Sequence, residues 1–186
     1  MKIVFADCEY TGEHSITTLV SLGLVTLDGN ELYLTLNDYE DSQISHWVNE
    51  NVISKIDKRK SLNSYKACIE VDNFLKKYSN GENVIIVSAG KATDIILIFQ
   101  LYHSLHTHRK YFHFSECLPD YINHRMHIDL DTMFIMAGIN PKINREEYCK
   151  SSDANKHNAL YDAKIVRKCY LKLLNENQSI FKNLKN

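Results

Sequence analysis

Proline and glycine are scarce in this chain. Two prolines and six glycines among 186 residues leave little room for a disordered or low-complexity segment. Paired cysteine is missing as well. The five cysteines, Cys8, Cys68, Cys117, Cys149 and Cys169, are odd in number and contain no CxxC, which sets aside a disulfide framework and a zinc–thiolate site. They read as reduced thiols. The N-terminus lacks a basic stretch followed by an apolar run and a cleavage site, and no apolar run nears the length of a membrane span. The chain therefore reads as soluble and cytoplasmic, with no membrane partner. Excess positive charge is the last absence. A formal net charge of -1 argues against a surface that grips nucleic acid over its whole extent. Any such contact should be local, short or directed at a strand end.

What is present suffices for a core. Hydrophobic residues at 44% and charged residues at 24% suit a folded interior under a solvated surface. The length fits one domain over residues 1–186, and neither a repeat nor a linker divides it.

Residues 2–9 alternate, with Ile3, Phe5, Asp7 and Glu9 on one side and Val4, Ala6 and Cys8 on the other. Both sides begin apolar, as in a central strand. Residues 17–27 read as a second strand, Asp28-Gly29-Asn30 as a hairpin turn, and residues 31–36 as a third strand. Helical spacing appears over residues 44–56, where Trp47 shares a side with Ile44 and Val48 and is expected in the core. It returns over residues 65–78 and stops at Asn80-Gly81. Residues 84–87 form a short buried strand, and Thr93 or Asp94 can cap the helix that follows. Residues 125–129 read as a last strand, with a helix to Ala137 and a stop at Gly138. Residues 158–174 form an amphipathic helix. The order implies an α/β fold: a mixed central sheet, with a three-stranded antiparallel meander plus parallel strands, flanked by helices.

Three places along this pattern carry acid. Asp7 and Glu9, two apart on a strand, point to one face and can share an ion. Asp94 follows a strand near a helix start, where a carboxylate also suits the helix dipole. His157-Asn158-Ala159-Leu160-Tyr161-Asp162 places a histidine just before a helix whose N-cap is Asn158, with Asp162 in its opening turns among apolar neighbours. Taken singly, a solvated strand end or an ordinary helix start accounts for the first two. Jointly, four carboxylates and a histidine fall at strand ends and helix starts, where α/β sheets gather ligand sites. All-oxygen donors favour Mg²⁺ or Mn²⁺ over zinc.

These same residues carry a resemblance. Asp7-Cys8-Glu9-Tyr10-Thr11-Gly12, Asp94 and the H-x-A-x-x-D of His157 to Asp162 resemble the three motifs of the DnaQ-like DEDDh 3′-5′ exonucleases, an RNase H-like group. Residues 17–25, Asp28-Gly29, Tyr33 and the segment from His46 to Val52 resemble a small bacterial and phage branch of Rv-type exoribonuclease-like domains. The middle motif departs from the family pattern in having Thr93 before its Asp, and Cys8 stands between the first two acids. The resemblance implies an RNase H-like fold and a single-stranded RNA or DNA 3′ end as partner. It implies two divalent cations, Mg²⁺ or Mn²⁺, held about 4 Å apart by Asp7, Glu9, Asp94 and Asp162. Asp7 would bridge both, Glu9 and Asp162 would complete one site, and Asp94 would reach the other through water. His157 would be the general base, Tyr10, Thr11 and Gly12 would meet the terminal nucleotide, and nucleoside 5′-monophosphates would leave. The resemblance also allows a homodimer.

Two basic segments remain. Lys55, Lys58, Arg59 and Lys60 read as a solvated helix end, and residues 103–113, with Arg109, Lys110 and four histidines, as a surface loop. A non-catalytic nucleic-acid or nucleotide-binding module on the same fold is the competing class, and an internally cutting nuclease is the competing enzyme.

Overall fold

The computed structural model describes residues 1–90, 92–106, 113–151 and 155–184. Among these, five strands form one sheet in the order β3-β2-β1-β4-β5. They are β1 (Lys2–Tyr10), β2 (Leu19–Thr26), β3 (Glu31–Thr35), β4 (Val84–Ser88) and β5 (Ile122–Asp129). β1 pairs antiparallel with β2 and parallel with β4, β2 pairs antiparallel with β3, and β4 pairs parallel with β5. The mixed sheet is the expected one. β5 begins earlier than the sequence pattern suggested: Ile122 already pairs with Val84, and the ladder resumes at His127 after an irregularity that breaks the two-residue period between them.

The helices are α1 (His46–Asn51), α2 (Ser64–Ser79), α3 (Thr93–His103), α4 (Phe114–Cys117), α5 (Leu130–Met136), α6 (Arg145–Tyr148) and α7 (Ala159–Glu176). Alternation along β1 decides which helices go where. Val4, Ala6 and Cys8 join the core under α2 and α3, while Ile3 and Phe5 join the core under α5 and α7. Asp7 and Glu9 continue the second set, so they emerge on the α7 side.

The helix expected over residues 44–56 is shorter. It is α1 followed by a 3-10 turn, Ile53–Lys55, with Val48, Val52 and Ile53 buried against Val20. Thr93 and Asp94 do not cap α3; they lie in its first turn, and Ala92 stands at the cap. Asn158 does cap α7, accepting the Tyr161 amide at 3.1 Å. Asn158→Ala should cost about 1 kcal/mol. In a chain this size that lowers the melting temperature by about 2–4 °C, readable by calorimetry.

Candidate active site

The C-terminal end of β1 is the floor of the site. Asp7 and Glu9 leave the strand on the α7 side, and the first turns of α7 deliver Asp162 against them. One carboxylate oxygen from each of Asp7, Glu9 and Asp162 lies within 4.8 Å of the others. Asp94 comes from the opposite face. Its Oδ1 accepts the backbone N–H of Cys8, between the two β1 acids, at 3.2 Å, and the residue is buried. Asp94 thus lines the same cleft but stands behind the three converging carboxylates, with one oxygen engaged by the chain.

Gly23 makes the approach of α7 possible. It pairs with Asp7 across the β1–β2 ladder. A side chain there would meet the backbone of the first turn of α7, with Ala159 O at 2.2 Å and Leu160 N at 2.4 Å. Only a residue without Cβ lets that turn rest on the sheet beside Asp7.

The packed acids disturb one another. Burial raises the Asp7 carboxyl well above its ordinary range, and the negative charges of Asp94, Asp162 and Glu9 push it further. Burial also lifts Asp162 to about 6. A divalent ion placed among these carboxylates would offset both the repulsion and the lost hydration. The donors are hard oxygens with no sulfur among them, which suits Mg²⁺ or Mn²⁺.

His157 sits at the rim. Its backbone is left-handed, with φ 62, in a region that costs a non-glycine residue about 1–3 kcal/mol. Its amide donates to Asp162 Oδ2 at 3.1 Å. Burial, helped by Lys55 and Lys156, holds the imidazole below its ordinary pKa, so the ring is unprotonated at neutral pH.

The predicted substrate residues divide. Tyr10 and Gly12 line the cleft. Thr11 also borders it but is fully buried, and its hydroxyl donates to Gln43 Oε1 at 2.7 Å and accepts the Thr18 amide at 3.0 Å. That side chain pins the loop after β1 and is not available as a free contact.

The whole cleft measures about 990 Å³, and the rest of its lining comes from two unlike parts of the chain. One carries His14, Gln43, Trp47 and Val52; the other carries Lys142, Asn144, Arg145 and Lys156. Trp47 corrects a sequence expectation: it is 52% exposed, with its ring against His157. Arg145 and Lys142 were missed altogether. Arg145 donates to Asp131 Oδ1 at 2.7 Å, which holds its guanidinium on the cleft wall. Arg59 and Lys60 pair with Asp57 in their own turn, consistent with a solvated position. Arg109 and Lys110 lie outside the described residues.

Comparison with known proteins settles the kinship. A family model described as the 3′-5′ exoribonuclease Rv2179c-like domain matches residues 2–174. The chain belongs to this family. Its fold also matches solved structures of E. coli exonuclease I. Against the zinc-bound form of the ExoI–ssDNA complex the TM-score is 0.69 at 14% identity, covering 98% of this chain and 42% of that one. Against the metal-free form it is 0.64 at 12% identity, covering 98% and 41%. A complex of E. coli exonuclease I with a 5cy-dA13 oligonucleotide gives 0.64 at 13% identity, covering 98% and 42%. The chain thus spans less than half the length of these structures, and at such identity the likeness shows the fold, which is the RNase H-like one. A search of the curated proteins found no significant match. Among the described residues no helix is long and apolar enough to cross a membrane.

Proposed function

We propose that this chain is a single-domain, metal-dependent 3′-5′ exoribonuclease that trims a single strand and releases nucleoside 5′-monophosphates. The observation that carries the reading is the convergence of Asp7, Glu9 and Asp162 within 4.8 Å at the end of the central strand. The family supports the polarity and the RNA substrate. The two large hydrophobic cores and the smaller cluster around Val20 all pack on one sheet, which supports a single catalytic domain.

Asp7, Glu9 and Asp162 would hold one Mg²⁺ or Mn²⁺, and Asp94 with Asp7 would hold a second. Bound ions of this kind acidify the attacking water and neutralise charge at the leaving 3′ oxygen. The chain's own residues do the rest. His157, neutral at pH 7 and at the rim of the acidic floor, takes a proton from the attacking water. Lys142 and Arg145 offer cations to the strand's phosphates along one wall, as point and forked donors respectively. Thr11 and Gln43 fix the loop whose Tyr10 and Gly12 border the terminal nucleotide.

Matched RNA and DNA oligonucleotides with Mn²⁺, with and without chelator, test this. Mononucleotides should appear stepwise from the RNA 3′ end and vanish with chelator. His157→Ala should lower turnover by about 10²–10⁴-fold. Internal fragments, or turnover that survives the chelator, would refute the proposal.

A further inference from the structure

We infer that Trp47 is a positioning residue for His157, and that the segment carrying it clamps the histidine's loop. The inference rests on the exonuclease reading, which gives the imidazole its task. His157 has left-handed backbone, a conformation that persists in a non-glycine residue only where neighbours hold it. Three neighbours do so. Asp162 Oδ2 accepts the His157 amide at 3.1 Å. Lys55 Nζ donates to the carbonyl of Lys156, the preceding residue, at 3.3 Å. The Trp47 indole meets the imidazole edge to face, with ring centres 4.8 Å apart and planes at 84°.

Two of these contacts come from one stretch, α1 and the 3-10 turn after it. The core does not require the indole. Val48, Val52 and Ile53 supply the buried side of this stretch, while Trp47 stands 52% exposed on the cleft. The cost of leaving a large ring half in water is offset if the ring has work there. The imidazole of His157 borders an open cleft into which it can swing. Accepting a proton requires a ring nitrogen held at one place, and the indole closes off the alternative rotamers.

The chain has one tryptophan, so its emission reports on the surroundings of Trp47, the His157 ring among them. At fixed pH and without metal, His157→Ala should shift or brighten that emission. Trp47→Ala, at an exposed position, should fold normally. Its kcat should drop by about 10–100-fold with KM nearly unchanged, as expected for a misplaced catalytic group. Trp47→Phe retains a ring and should restore most of kcat. In a His157→Ala background, Trp47→Ala should cost nothing more. A raised KM with intact kcat, or a full additional loss in the His157→Ala background, would show a direct substrate contact and overturn the positioning role. Unchanged emission in His157→Ala would overturn the contact itself. A chain without nuclease activity whose emission still responds would instead remove the exonuclease reading and leave the contact standing.

Discussion

Replacing Asp7 with asparagine is expected to lower metal-dependent turnover by on the order of 10³-fold or more and, in the same protein, to raise the melting temperature of the metal-free form. The two effects have one cause. Asp7 is buried beside Asp94, Asp162 and Glu9, and its carboxyl is held well above its ordinary 3.8. Folding without metal therefore disfavours the ionised side chain. In acid, wild-type Asp7 is protonated in both folded and unfolded chains, and the variant gains little. As pH rises past the ordinary value, the unfolded chain ionises freely while the folded one resists, so the wild type loses stability that the variant keeps. The gap should open above about pH 4 and widen toward neutrality. Each kcal/mol of relief is worth about 2–4 °C in a chain this size. Saturating Mn²⁺ should close or reverse the gap, because only the wild type keeps every ligand. Melting curves from pH 4 to 8, with chelator and with Mn²⁺, measure all of this. A variant that melts below the wild type at pH 7 in chelator would show that the acids do not repel.

Gly23→Ala should be nearly as damaging, although residue 23 carries no chemistry. The added methyl would lie 2.2 Å from Ala159 O and 2.4 Å from Leu160 N, both backbone atoms of the first turn of α7. No flexible side chain is there to yield. Either α7 lifts from the sheet or the β1–β2 ladder bends. Overpacking of this sort costs about 1–3 kcal/mol or more. The same shift draws Asp162 and His157 away from Asp7 and Glu9. A displacement of about 1 Å at a catalytic constellation can cost about 10²-fold in rate. The expected protein is folded, less stable and poorly active, with weakened Mn²⁺ binding by calorimetry. Normal Mn²⁺ affinity in this variant would mean that the approach of α7 does not set the site.

Much of this was legible in the sequence, and the gaps have physical reasons. The two-residue strand period alone puts Asp7 and Glu9 on one face. The N-cap chemistry of Asn158 sets the start of α7, and that start aims Asp162 at the sheet. Asp94 was placed at the right helix, but its bond to the Cys8 amide is a tertiary contact between residues far apart in the chain. Trp47 was misplaced because the helical spacing was read across residues 44–56. α1 begins only at His46, so Ile44 stands outside it, and Trp47 and its buried neighbour Val48 point about 100° apart around the helix. Thr11 looked like a loop contact; its burial depends on Gln43, which arrives from a distant turn. Arg145 carries no local signal, since a four-residue helix leaves too few turns for a period to show, and Lys142 lies in the turn before that helix. Gly23 was visible as a glycine inside a strand, but what presses on it became clear only once α7 was in place.

Crystals of the wild-type chain grown or soaked with Mn²⁺ and measured for its anomalous scattering address the metal site without reference to substrate or rate. The strongest manganese peak should lie in contact with Asp7, Glu9 and Asp162, and it should disappear in Asp7→Asn. Manganese bound only at other acidic groups, or an unchanged peak in the variant, would contradict the account.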